Sequence, residues 1–159
     1  MEHIVDILKF IHLSSISVWT GTLVFFSFFA APSIFKVLPR ETAGDVVGDI
    51  FPKYWAVGYV SGILGLASLL ALSYIGGEMP AARITLFAFM TVVTLYSGLF
   101  VGTKARGVKR ELRLAQDAAD KEGLRAEFRK LHALSSILNL VVMATGFVVI
   151  FLTARMLRM

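Results

Sequence analysis

The 159-residue chain has no cysteine, which excludes disulfides, thiolate metal sites, iron–sulfur clusters and cysteine nucleophiles together. Charge is also scarce. Asp, Glu, Lys and Arg make up 17% of the residues, against about 25% in a soluble domain. It is missing altogether between Lys9 and Lys36, Lys53 and Glu78, Arg83 and Lys104, and Lys130 and Arg155, stretches of 26, 24, 20 and 24 residues. About 20 residues suffice to cross a hydrocarbon core at ~1.5 Å per residue. Lipid offers no partner to unpaired backbone groups, and the ten-residue alternation of a barrel strand is nowhere present. What is present is apolar: 57% hydrophobic residues and a mean hydropathy of +0.74.

These features predict an all-α integral membrane protein, a single domain over 1–159 folded as a four-transmembrane-helix bundle. The spans are expected near 8–31, 54–77, 84–103 and 131–154, with a cytoplasmic amphipathic helix over 104–130. That helix carries Val108, Leu112, Ala115 and Ala119 on one face and is expected to break at Gly123. The opening Met1-Glu2-His3-Ile4-Val5-Asp6 places two acids before the first lysine, unlike the basic start of a cleaved secretory signal.

A net charge of +5 and a pI near 9.7 are explained by orientation rather than by nucleic acid. Nine basic residues lie between Lys104 and Lys130, so that segment is expected in the cytoplasm. Threading the chain back places Lys36, Arg40 and Lys53 inside as well, and leaves Lys9, Arg83, Arg155 and Arg158 outside. Both termini are therefore expected to be extracytoplasmic in the cell membrane. In the segment between the first two spans, punctuated by Pro39, Gly44 and Gly48, Glu41, Asp45 and Asp49 recur at i, i+4, i+8, as on the wet side of a short surface helix.

Two spans carry small-residue faces suited to close helix contact. Gly58, Ser61, Gly62, Gly65 and Gly76 share one face of the second, with Leu69 expected toward lipid; Thr91, Thr94, Gly98 and Gly102 share one face of the third.

No Asp, Glu, Lys or Arg lies inside a span, so an intramembrane carboxylate for proton coupling has no candidate. Polar stripes remain. His12, Ser15, Trp19 and Thr22 share a face of the first span with Phe26; His132, Ser135, Ser136, Asn139, Met143, Gly146 and Thr153 form a wider stripe on the fourth. His12 or His132 could ligate a metal or haem, but they fall toward opposite membrane surfaces and cannot share one ligand. The plainer role for each is a hydrogen bond across helices. Gly58-Tyr59-Val60-Ser61-Gly62 departs from a serine-protease nucleophile motif, and no phosphate-binding glycine loop or His-Glu-x-x-His zinc motif occurs. No catalytic residue is assigned. His-x-x-Ser occurs near the start of both the first and the fourth spans, within Phe10-Ile11-His12-Leu13-Ser14-Ser15-Ile16 and Leu131-His132-Ala133-Leu134-Ser135-Ser136-Ile137.

Several blocks, in order along the chain, resemble a membrane family that includes human transmembrane protein 205 and bacterial domains of unknown function. They are Leu8 to Trp19, Ala30-Ala31-Pro32-Ser33-Ile34-Phe35, Leu38-Pro39-Arg40, Ala43-Gly44, Gly48 through Tyr54, and Phe128 through Asn139. The resemblance implies a four-span protein, the human member being linked to platinum-drug resistance. Cysteines as soft platinum ligands are absent here, and of six Met only Met90 and Met143 lie within spans. A histidine early in the first span followed by Trp19-Thr20-Gly21 is more distantly similar to small membrane proteins of copper resistance and haem biosynthesis.

Three functions follow as expectations. The leading one is non-enzymatic permeation or export of a small solute or metal compound along the first and fourth spans. A homo-oligomer is expected there, because four helices enclose little volume. The second is a haem-binding redox protein using His12 or His132, and the third a scaffold recruiting a partner through its basic cytoplasmic helix.

Overall fold

A computed structural model describes residues 1–156 and is helical throughout. Four helices are long and apolar enough to cross a membrane: α1 (Glu2–Val37), α2 (Arg40–Gly76), α3 (Ala81–Leu114) and α4 (Ala118–Met156). The protein is a multi-pass membrane protein, since large apolar side chains such as Phe25, Phe28, Ile63, Val92, Phe147 and Phe151 point outward, where water would penalise them and lipid does not.

The turns explain where the helices end. Leu38 is extended before Pro39, as a residue preceding proline should be. Gly77 caps α2 at φ 68°, the left-handed conformation that glycine adopts at least cost. The third turn is Ala115 to Asp117. The expected helix over 104–130, broken at Gly123, is therefore corrected: α3 runs on to Leu114, the chain reverses at Asp117, and Gly123 lies inside α4. A lone glycine costs a helix only about 1 kcal/mol, while Asp117 sits at a favoured helix-starting position. Gly44 and Gly48 likewise lie inside α2.

Three helices are perturbed over matching stretches. α1 contains a turn of π-helix at Phe26–Ala30 and α3 one at Ser97–Val101, while Pro52 interrupts the hydrogen bonding of α2. Antiparallel packing of α1 on α2 pairs Phe26 with Phe51, Trp19 with the backbone at Gly58 and His12 with Gly65.

The small-residue faces interlock as their spacing predicts. Thr94 packs on Gly58, Thr91 on Gly62 and Phe87 on Gly65; in return Trp55 fills the space over Gly98 and Gly102. A β-carbon at Gly76 would meet open space, so Gly76 is not part of this face. Leu69 is corrected as well. It is 1% exposed, because seven residues after Gly62 an α-helix has nearly completed two turns and returns to the same face.

Candidate functional site

The inner face of α1 is polar at its start. His12 is 3% exposed and its Nδ1 lies 3.1 Å from the carbonyl oxygen of Gly65. A carbonyl only accepts, so Nδ1 carries the proton and Nε2 presents a lone pair. That Nε2 is buried without a hydrogen-bond partner. The ring lies 5.4 Å from Phe87, which also takes the edge of Trp19 at 5.7 Å. Ser15 and Trp19 are buried beside it, whereas Thr22 is half-buried and lines an outer groove between α1 and α2.

The stripe expected on α4 divides. Ser135 and Thr153 are buried and Gly146 packs on Thr20 and Met90. Asn139 and Met143 are half-buried, while His132 and Ser136 are exposed. His132 stacks on Phe128 at 6.3 Å, and the Ser136 hydroxyl donates to the His132 carbonyl. The inner line of α4 is Ser135, Val142, Gly146, Val149 and Thr153, the seven- and four-residue spacing of a packed helix. His132 lies about 60° off that line and Ser136 about 100° off it at 100° per residue. The repeated His-x-x-Ser motif thus occupies two environments, buried in α1 and surface-facing at the histidine in α4.

Further buried polar atoms accompany these, and of them only Thr153 belongs to a stripe that spacing marks. Thr20 Oγ1, the Tyr54 hydroxyl, Trp55 Nε1, Ser97 Oγ and Thr153 Oγ1 join His12 Nε2 in having no hydrogen-bond partner. The Asn139 side chain faces the Tyr54 hydroxyl without forming a bond of ordinary geometry. Ile16, Trp19, Met90 and Val149, each almost fully buried, lie between His12 and Thr153 on one side and Tyr54, Trp55 and Ser97 on the other. Thr20 borders this apolar septum. Among the described residues no group of three or more His, Asp or Glu could hold a metal ion.

Beyond the spans, the acidic residues are not simply a wet face. Asp45 accepts from Lys109 at 2.8 Å and from Arg113, and Lys109 also donates to the Gly44 carbonyl at 2.8 Å. The Lys109 hydrogen bond, with help from both cations, holds the Asp45 carboxyl below its ordinary value. Lys104 pairs with Glu127 at 2.9 Å, which holds its ammonium above the usual lysine value. The Arg106 guanidinium lies over Trp55 at 5.4 Å.

Comparison with known proteins fits this architecture. The family model described as a domain of unknown function (DUF4149) matches residues 14–113, which covers most of α1, all of α2 and nearly all of α3. The chain is similar to an uncharacterized protein of Aquifex aeolicus (strain VF5), at 29% identity over 131 residues, covering 82% of this chain and 85% of that one. No solved structure matches.

Proposed function

This chain belongs to the family described as a domain of unknown function (DUF4149), and from that premise we propose that it carries a small polar solute across the bilayer through the interior of its bundle. The observation that carries this reading is the set of buried polar atoms without partners on both sides of the septum. An unpaired polar group costs several kcal/mol where neither water nor protein meets it. Such atoms are tolerated if water or a solute reaches them in turn. In this mechanism His12 Nε2 and Thr153 accept the solute at the end carrying the termini. Thr20, Tyr54 and Ser97, with Asn139 beside them, receive it beyond Ile16, Trp19, Met90 and Val149. The π-helical turns and Pro52 offer weakened backbone at which the helices can bend to open the septum. The resemblance to the family of human transmembrane protein 205 supports export as the direction and a metal compound as one solute to try. A homo-oligomer would enlarge the narrow interior.

The absence of cysteine makes the test clean. Single cysteines at Thr20, Ser97 and Thr153 are exposed to a small water-soluble thiol reagent in proteoliposomes, with lipid-facing Val92→Cys as control. Labelling at the inner positions but not at Val92, together with solute efflux, is expected. Unlabelled inner positions would overturn the passage.

A second reading rests on one observation: the Nδ1 bond to Gly65 leaves His12 Nε2 in the state of an axial ligand. The fit to haem is poor. Phe87 occupies one side of the imidazole, and His132 is surface-exposed on another helix. A Soret band in the purified protein, lost in His12→Ala, would establish this reading in place of the first.

A further inference from the structure

We infer that the end of the bundle carrying the termini holds a binding site for a phosphate-type oxyanion, built from Arg83, Arg155 and the start of α3. A cleft of about 360 Å³ opens there, lined by Pro80, Ala81, Ala82, Arg83, Leu152 and Arg155. Two arginines line it. Among the described residues neither forms an ion pair with a carboxylate. Arg155 lies over the Phe151 ring at 5.9 Å and, in the last turn of α4, is placed as a helix dipole favours. Arg83 is placed against that preference. It stands in the first turn of α3, where the backbone N–H groups are unpaired and anions belong, and no acidic residue shares that turn. Its Nε is buried with no acceptor.

Two positive charges lining one cleft, one of them beside the positive end of a helix, favour an anion there. A tetrahedral oxyanion supplies acceptors for both planar guanidinium forks and for the free N–H groups of the first turn. Pro80 contributes no N–H and the Ala81 amide donates to the Met79 carbonyl, which leaves the Ala82 and Arg83 amides as the available backbone donors. The same chemistry is offered by a phospholipid headgroup or by free phosphate. The site adjoins the His12 and Thr153 end of the proposed passage and does not depend on that passage.

The test uses the full chain purified in an uncharged detergent. Thermal stability is followed during titration with inorganic phosphate and, separately, with phosphatidylglycerol, for the parent, Arg155→Gln and the double variant Arg83→Gln/Arg155→Gln. Saturable stabilisation is expected, weakened about tenfold for each arginine removed. A response to both probes identifies a site open to the free anion; a response to phosphatidylglycerol alone identifies a headgroup site. Should the double variant not fold, Arg155→Gln at an exposed position carries the comparison. Stabilisation by neither probe, or equal stabilisation of parent and Arg155→Gln, would overturn the site.

Discussion

The ring of Phe87 occupies the space that a side chain at Gly65 would need, so the α3 ring lies directly on the α2 backbone there, beside the carbonyl that holds His12. Lipid is as apolar as the helix surface, and membrane helices associate through such close van der Waals contact. A β-carbon at Gly65 would force the Phe87 ring aside. Gly65→Ala is therefore expected to destabilise by about 1–3 kcal/mol, the usual cost of overpacking. Gly107 lies in the helix interior with nothing within 4 Å, and Gly107→Ala should instead raise stability by up to about 1 kcal/mol. Melting in detergent distinguishes them, and equal shifts would mean that α2 and α3 do not meet at Gly65.

The Asp45 pairing sets a pH dependence with a definite sign. A carboxyl held below its ordinary value contributes stability that is fully present above that value and is lost as pH falls through the lowered one. The link from α2 to the extension of α3 should therefore be unchanged from about pH 5 to 8 and loosen only below about pH 4. Lys104, raised by Glu127, acts in the opposite direction, and its contribution disappears only as pH climbs through its raised value. Hydrogen exchange over residues 41–48 measures the acid transition. Asp45→Asn should remove that transition, and a transition of the same size in the variant would assign it elsewhere.

The orientation expected from charge is open to a direct test. The turn at 115–117 is flanked by basic residues, whereas the turn at 77–80 has only Arg83 close by. Impermeant thiol reagent applied to intact cells should label Met79→Cys and spare Ala118→Cys. The reverse pattern would place the termini in the cytoplasm.

Much of this fold is legible in the sequence because lipid removes most alternatives. Charge-free runs mark the membrane segments, and the spacing of Gly58, Gly62 and Gly65 against Thr91 and Thr94 marks a contact face that the structure brings together. Legibility fails where the deciding interaction is between helices. Nothing in Phe26-Ser27-Phe28-Phe29-Ala30 announces a π-helical turn, and Gly123 is a more conspicuous breaker than Asp117, where the chain reverses. Asp45 reads as a surface acid because Lys109 lies 64 residues away. Leu69 reads as lipid-facing because its residue type suits lipid and core equally. Leu69→Ala should lower the melting temperature more than Val92→Ala, since only the former leaves a cavity.

Thr20, Tyr54 and Ser97 allow the sharpest separation of function from structure. Each is inside the bundle, and each has a side-chain polar atom without a hydrogen-bond partner. If these atoms serve only the fold, they are a cost, because an unsatisfied buried polar group loses about 1–3 kcal/mol relative to an apolar one of the same shape. Thr20→Val keeps the branched shape that packs against Gly146, and Tyr54→Phe keeps the ring that lies 5.0 Å from Phe26. Neither replacement opens a cavity, so neither should lower the melting temperature, and the double variant should melt at or above the parent. On the proposed mechanism the same variant loses the acceptors that receive solute beyond the septum, and efflux from proteoliposomes should fall at least about tenfold, the rate equivalent of one lost interaction of 1.4 kcal/mol. Stability retained and flux lost would identify these groups as part of the passage. Stability and flux both unchanged would remove the interior from the mechanism, and a fall in both would show that the hydroxyls are met by ordered water that the fold requires.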